Sequence, residues 1–257
     1  MKQMKYSFLV VASLCIGFLT RAQDYKIAVG DMKDAKLVLD GFTGDLPIEG
    51  YAGNEIVVST GHHFEQNERS RGLKPIYAAG TDNTGIAVSM EKNGNRITLR
   101  CLLPITQSAD YKLRVPENLA LEITRDCARG GNTTISNIRN EVEFKGCQDI
   151  TLTRVTGPIV VSTISGSVNV VFTEVAKDKP ISISSVSGEV DVTIPAKTPF
   201  SLEMGTVSGN MFSDFEFPAA HDDMRRVGGG KLRTDFNGGG TAIRLHSVSG
   251  NVYLRKS

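Results

Sequence analysis

Pro158–Gly166 reads PIVVSTISG and Pro180–Gly188 reads PISISSVSG, in register at a separation of 22 residues. Apolar residues at alternate positions turn one side of a short strand toward an interior. A Ser–Gly pair then bends the chain, since glycine can take a positive φ and a hydroxyl can bond backbone groups exposed by a bend. The fuller pattern is apolar-x-apolar-x-x-apolar-[Ser/Thr]-Gly-x-apolar-x-apolar. It occurs at 37–48 (LVLDGFTGDLPI), 150–161 (ITLTRVTGPIVV), 159–170 (IVVSTISGSVNV), 181–192 (ISISSVSGEVDV) and 243–254 (IRLHSVSGNVYL). In the copy at 202–213 (LEMGTVSGNMFS) Ser213 breaks the last apolar position, and a weaker copy at 133–144 has Asn140 in place of the glycine.

The repeated turns are centred on Gly44, Gly157, Gly166, Gly188, Gly209 and Gly250. Gly166, Gly188 and Gly209 stand 22 and 21 residues apart, and Gly209 to Gly250 is 41, close to two units. The spacing therefore predicts a further copy near 227–232 (VGGGKL). Gly157 and Gly166 are only nine apart, which puts the same turn on two successive sides of one coil. A unit of about 21 residues is short for a propeller blade and fits one turn of an all-β parallel β-helix, or β-solenoid. A two-sheet sandwich also has many short strands, but would not hold this register.

On this reading Ile164, Val168, Val186, Val190, Val207, Met211, Val248 and Val252 stack into one core. Thr43, Thr156, Ser165, Ser187, Ser208 and Ser249 form polar ladders at the bends. No single unit can bury its apolar side alone, so the units must stack. About ten turns at ~4.8 Å each would make a rod ~50 Å long.

The first residues read as an address. Lys2 and Lys5 precede an apolar run from Phe8 to Leu19, and Thr20-Arg21-Ala22 puts small residues before Gln23. This is the layout of a secretory signal peptide over 1–22, cleaved between Ala22 and Gln23. The run is too short to span a bilayer, and no other stretch suits a membrane anchor. Lipidation at Cys15 is disfavoured because Leu14 precedes it and the apolar run continues beyond.

The 257 residues carry 29 Lys+Arg against 28 Asp+Glu, and processing would leave 26 against 28. That balance excludes a dedicated nucleic-acid binder. Residues 60–75 read as a long exposed loop. Asp82-Asn83-Thr84-Gly85 and Asn93-Gly94-Asn95 are turn signals, and strand-like runs follow at 96–103 and 111–115. Residues 219–226 suggest a short helix between Pro218 and the glycine triplets at 228–230 and 238–240. Residues 23–257 read as one continuous body with a subtle break near Pro116.

Chemistry is sparse. His221-Asp222-Asp223 and His62-His63 are the best metal-ligand combinations, yet each reads as a solvated loop, and His246 reads as an exposed corner residue. There is no Gly-x-Ser-x-Gly elbow or His-Glu-x-x-His motif, and Gly228-Gly-Gly-Lys231 lacks the spacing of a phosphate loop. Among outward positions of the repeat, only Glu189 and Asp191 are charged, too few for a polysaccharide-cleaving face. No catalytic, cofactor or metal site is expected. Cys127 and Cys147, 20 residues apart, could meet on adjacent turns as a disulfide or remain buried thiols. Cys101 is left over as a buried thiol.

Three segments taken in order, LVLDGFTGDLPIEGYAGNEIVV (37–58), GLKPIYAAGTDNTG (72–85) and NGGGTAIRLHSVSGNVYLRK (237–256), resemble a bacterial domain-of-unknown-function family of β-strand-repeat candidate adhesins. The versions from the Bacteroides group are similar at the cleavage site and at Asp-Asn-Thr-Gly. The resemblance implies a right-handed parallel β-helix and brings no catalytic residues. Together these readings give an exported, non-enzymatic β-solenoid, located in the periplasm, at the outer membrane surface or outside the cell. It would act as an adhesin or envelope interaction module toward an envelope protein or glycan. The alternative is an envelope structural or sensing protein that binds another protein, or itself through open solenoid ends. A polysaccharide-active β-helix enzyme is the third class.

Overall fold

Alternation of apolar and polar residues over five to seven positions recurs along the chain, and each such run is a strand with alternate residues buried. The computed structural model describes residues 23–30, 34–61, 68–73, 75–177, 179–217 and 230–257. In order the strands are β1 (Gln23–Ala28), β2 (Lys36–Tyr51), β3 (Glu55–Thr60), β4 (Ile76–Tyr77), β5 (Gly80–Thr81), β6 (Val88–Asn93) and β7 (Arg96–Cys101). β8 (Tyr111–Pro116), β9 (Ala120–Ser136), β10 (Val142–Gly146), β11 (Ile150–Val155), β12 (Ile159–Thr163), β13 (Val168–Phe172) and β14 (Ile181–Ser185) follow. The last six are β15 (Val190–Ile194), β16 (Phe200–Thr206), β17 (Met211–Ser213), β18 (Gly230–Phe236), β19 (Thr241–Ser247) and β20 (Val252–Lys256).

The chain coils as a parallel β-helix with two strand-bearing faces. One face runs β7, the start of β2, the start of β9, β10, β12, β14, β19 and β16, all parallel. The other runs β8, the end of β2, the end of β9, β11, β13, β15, β20 and β17. Leu121, Val142, Ile159 and Ile181 fall on successive coils of the first face, so the step varies from 17 to 22 residues. The interior is one apolar column that includes Leu37, Leu121, Phe144, Val161, Ile183, Leu245 and Leu202.

Order in space departs from order in sequence at both ends. The coil 241–256 does not close the tube. It lies between coil 181–194 and coil 200–213, pairing Ile181 with Ile243 on one side and Leu202 with Ile243 on the other. Coil 36–51 is likewise held between 96–116 and 120–136. The copy expected near 227–232 is not a coil: residues 227–229 lie outside the described set, and β18 runs antiparallel to β16. Eight parallel coils result among the described residues, in place of the ten expected from length alone.

Each end finishes in antiparallel strands: β6 against β7 and β3 against β8 at one, β18 against β16 at the other. At the second end Phe200, Phe215, Phe217 and Phe236 close the tube, with ring centroids 4.8–5.5 Å apart. The open solenoid end expected here is instead covered, and coil 241–256 lies interior to the stack. Lys231, Arg233 and Asp235 alternate along β18 and are exposed, the kind of charged strand edge that resists edge-to-edge pairing.

Candidate functional site

The bend between the two faces explains which residues the repeat must keep. Thr163, Ser185, Ser247 and Thr206, each three residues before a turn glycine, are buried. Each hydroxyl receives the N–H of its own glycine: Gly166 (3.3 Å), Gly188 (2.8 Å), Gly250 (2.8 Å) and Gly209 (3.0 Å). Each also donates to a carbonyl on the coil before it, at Gln148, Gly166, Gly188 and Gly250. The chain of bonds runs 166, 188, 250, 209 and so traces the spatial order directly. Of the hydroxyls expected to form this ladder, Ser165, Ser187, Ser208 and Ser249 instead sit at exposed positions, Thr156 is half-buried, and Thr43 is buried and exchanges hydrogen bonds with the Ala109 backbone.

The glycines are required by crowding. Gly157, Gly166, Gly188, Gly209 and Gly250 are absent from the left-handed region, which Gly44 occupies at φ 61°. A Cβ on Gly188 would stand 1.9 Å from the Gly166 carbonyl oxygen, and on Gly250 2.1 Å from that of Gly188. Only a residue without a side chain lets the coils approach at strand spacing.

A sequence profile of the Toastrack DUF4097 family matches residues 106–255. The chain belongs to this family. Two solved structures are similar to it. A candidate cell adhesion protein from Clostridium sporogenes is 10% identical, with 92% of this chain and 100% of that one covered and a TM-score of 0.48. A candidate adhesin from Bacteroides fragilis is 11% identical, with 92% and 97% covered and a TM-score of 0.37. No curated protein matches.

In this Toastrack chain the same alternation that buries Ser185 turns the next residue outward. Val186 is 46% exposed, Val248 36%, and Ile164 and Val207 53% each. The core stack expected from the sequence is corrected accordingly: Val168, Val190 and Val252 are buried, Met211 is half-buried, and the other four lie outside. They still align. Val186 N–H bonds Thr163, Val248 N–H bonds Ser185, and Val207 N–H bonds Ser247, so an aliphatic row follows the corner in the order Ile164, Val186, Val248, Val207.

Beside the row, on the outer side of β14, β19, β16 and β18, lies a groove of ≈ 510 Å³. Ser184, His246, Gly205 and Lys231 form one rank across it, and Ser182, Arg244, Glu203 and Arg233 form the next. Glu203 accepts from Lys231 at 2.7 Å and from Arg233 at 3.0 Å, and those cations hold its carboxyl below the usual range. Among the described residues, Arg244 has no hydrogen-bond or ion-pair partner in its side chain and is exposed.

The other outer face carries Glu189 and Asp191. Arg255 grips Asp191 through both carboxylate oxygens at 2.8 and 3.0 Å, and the Tyr253 hydroxyl donates to Glu189 at 3.2 Å. Phe212 stacks on Tyr253 with centroids 5.2 Å apart.

The remaining polar residues singled out in the sequence serve architecture. Asp82 is buried and receives the N–H groups of Thr84, Gly85 and Ala87, so its carboxylate organises the turn. Cys127 and Cys147 are joined as a disulfide between adjacent coils, Cα atoms 5.0 Å apart, and Cys101 is a buried thiol. Burial pushes that thiol up. Arg125 is buried too; it donates to the Gly44 and Gly131 carbonyls, and desolvation lowers it to about 10.

Gln23 begins β1, while Ala22 and the leader expected over 1–22, His62, His63, the helix expected over 219–226 and His221-Asp222-Asp223 lie outside the described residues. Among the described residues, no group of three or more His, Cys, Asp or Glu is placed to hold a metal, and no helix is long and apolar enough to cross a membrane.

Proposed function

We propose that the protein is an exported, non-enzymatic interaction module of the cell envelope, of adhesion type, binding through its outer faces. The aligned row Ile164, Val186, Val248 and Val207 carries this reading. The interior is already filled, so four aliphatic side chains held in line in solvent are costly unless another surface covers them. A rigid stack of coils keeps them in line without further ordering, which reduces the entropy lost on binding.

The test is saturable retention of labelled 23–257 protein on envelope sheets and on intact cells of the producing bacterium. Retention is expected, with loss in a Val186→Asp, Val248→Asp double variant that keeps its unfolding temperature. Absence of saturable retention on both surfaces overturns the reading.

A further inference from the structure

The aliphatic row and the groove are two parallel stripes. Ser184, His246 and Gly205 stand two residues before Val186, Val248 and Val207, which lie just past the ends of β14, β19 and β16, so the two stripes run side by side along the corner. One stripe is apolar. The other holds the basic groups: Lys231 stands in the rank of Ser184, His246 and Gly205, while Arg244 and Arg233 flank Glu203 one rank farther from the row, with Asp235 beyond along β18.

Elsewhere on this face cations are matched by carboxylates, Arg100 by Asp40 at 2.9 Å, Lys145 by Glu143 at 2.9 Å, and Lys36 and Arg96 by Glu122, with Glu141 also within reach of Lys36. Here Glu203 is shared by Lys231 and Arg233, and Arg244, its neighbour in register, is left over. Gly205, buried between His246 and Lys231, contributes no side chain and forms part of the groove floor.

We infer that this double stripe receives an acidic, aliphatic protein segment, its apolar side chains on Val186, Val248 and Val207 and its carboxylates toward Arg244 and Lys231. The inference deepens the interaction-module reading and rests on it. An acidic polysaccharide would satisfy the basic stripe and leave the aliphatic one exposed. A second copy of the chain would have to offer carboxylates and apolar groups in the same two ranks.

The experiment titrates the 23–257 protein with synthetic peptides in which Val and Glu are patterned on one face, read by fluorescence anisotropy. Controls are the Val/Lys analogue, a Glu-only peptide and polygalacturonate. The Val/Glu peptide is expected to bind, with Arg244→Gln and Val248→Ser each weakening it about tenfold. An Arg100→Gln variant, at the other end of the same face, should leave binding unchanged.

Equal binding of the Glu-only peptide or polygalacturonate, unaffected by Val248→Ser, overturns the inference in favour of a simple polyanion site. Concentration-dependent dimerisation abolished by Val248→Ser overturns it in favour of a second copy. Failure of the Val/Glu peptides while envelope retention persists removes this inference alone. Loss of retention as well removes the reading beneath it.

Discussion

Residues 120–194 and residues 195–257 are built from the same coil but assembled differently. In the first stretch each coil stacks on the one before it in the chain, from β9 through β15. In the second the chain passes over one position, turns back through antiparallel β18, and fills that position with residues 241–256. The hydroxyl–glycine bond set is the same in both, since Ser185 bridges to Gly166 as Ser247 bridges to Gly188. The repeat therefore encodes what a coil is, and it is silent about which coil is its neighbour.

Truncation separates the two regimes most strongly. Removing residues 241–257 would only fray an end in a chain stacked in sequence order. Here it takes out an interior coil, and hydrogen exchange should show coil 200–213 losing protection altogether while 120–172 stays protected. Retained protection at 200–213 would contradict the inserted coil.

Gly188→Ala and Gly250→Ala should each cost about 3 kcal/mol in chemical unfolding, since both press a Cβ on a backbone carbonyl that cannot move aside. A harmless Gly250→Ala would place that coil elsewhere. A similar loss, about 3 kcal/mol, is expected on replacing Cys127 and Cys147 by Ser, because the bridge closes a 20-residue loop. Thiol counting on the 23–257 protein in denaturant should find Cys101 alone reactive before reduction.

Ser247→Ala should cost about 2 kcal/mol by leaving the Gly188 carbonyl and Gly250 N–H without their shared hydroxyl, and Ser185→Ala should match it. Val186→Ser should change stability by less than about 0.5 kcal/mol. Its effect belongs to retention on envelope sheets, and a large loss of stability would return Val186 to the core.

Period-two alternation and recurrent Ser–Gly bends made the strands of 120–194 and the coil step legible in the sequence. Carried two residues further, the same alternation in ISISSV places Ser185 inside and Val186 outside. A valine beside a glycine bend reads as core only when the buried hydroxyl is overlooked, and that hydroxyl has two backbone partners. The inserted coil had no local signature, because Ile243 can pair with Ile181 or Leu202 equally well and in fact pairs with both. The groove depends on that insertion, since it brings Arg244 and His246 beside Ser182 and Ser184 from 62 residues away.

Coil 241–256 enters a slot whose two walls precede it in the chain. Residues 120–194 can organise early, but coil 200–213 has nothing to close on until residues 241–256 are free. The corner stripe is therefore incomplete in any product that stops short of residue 241. Docking of that one coil and completion of the aliphatic row become one event.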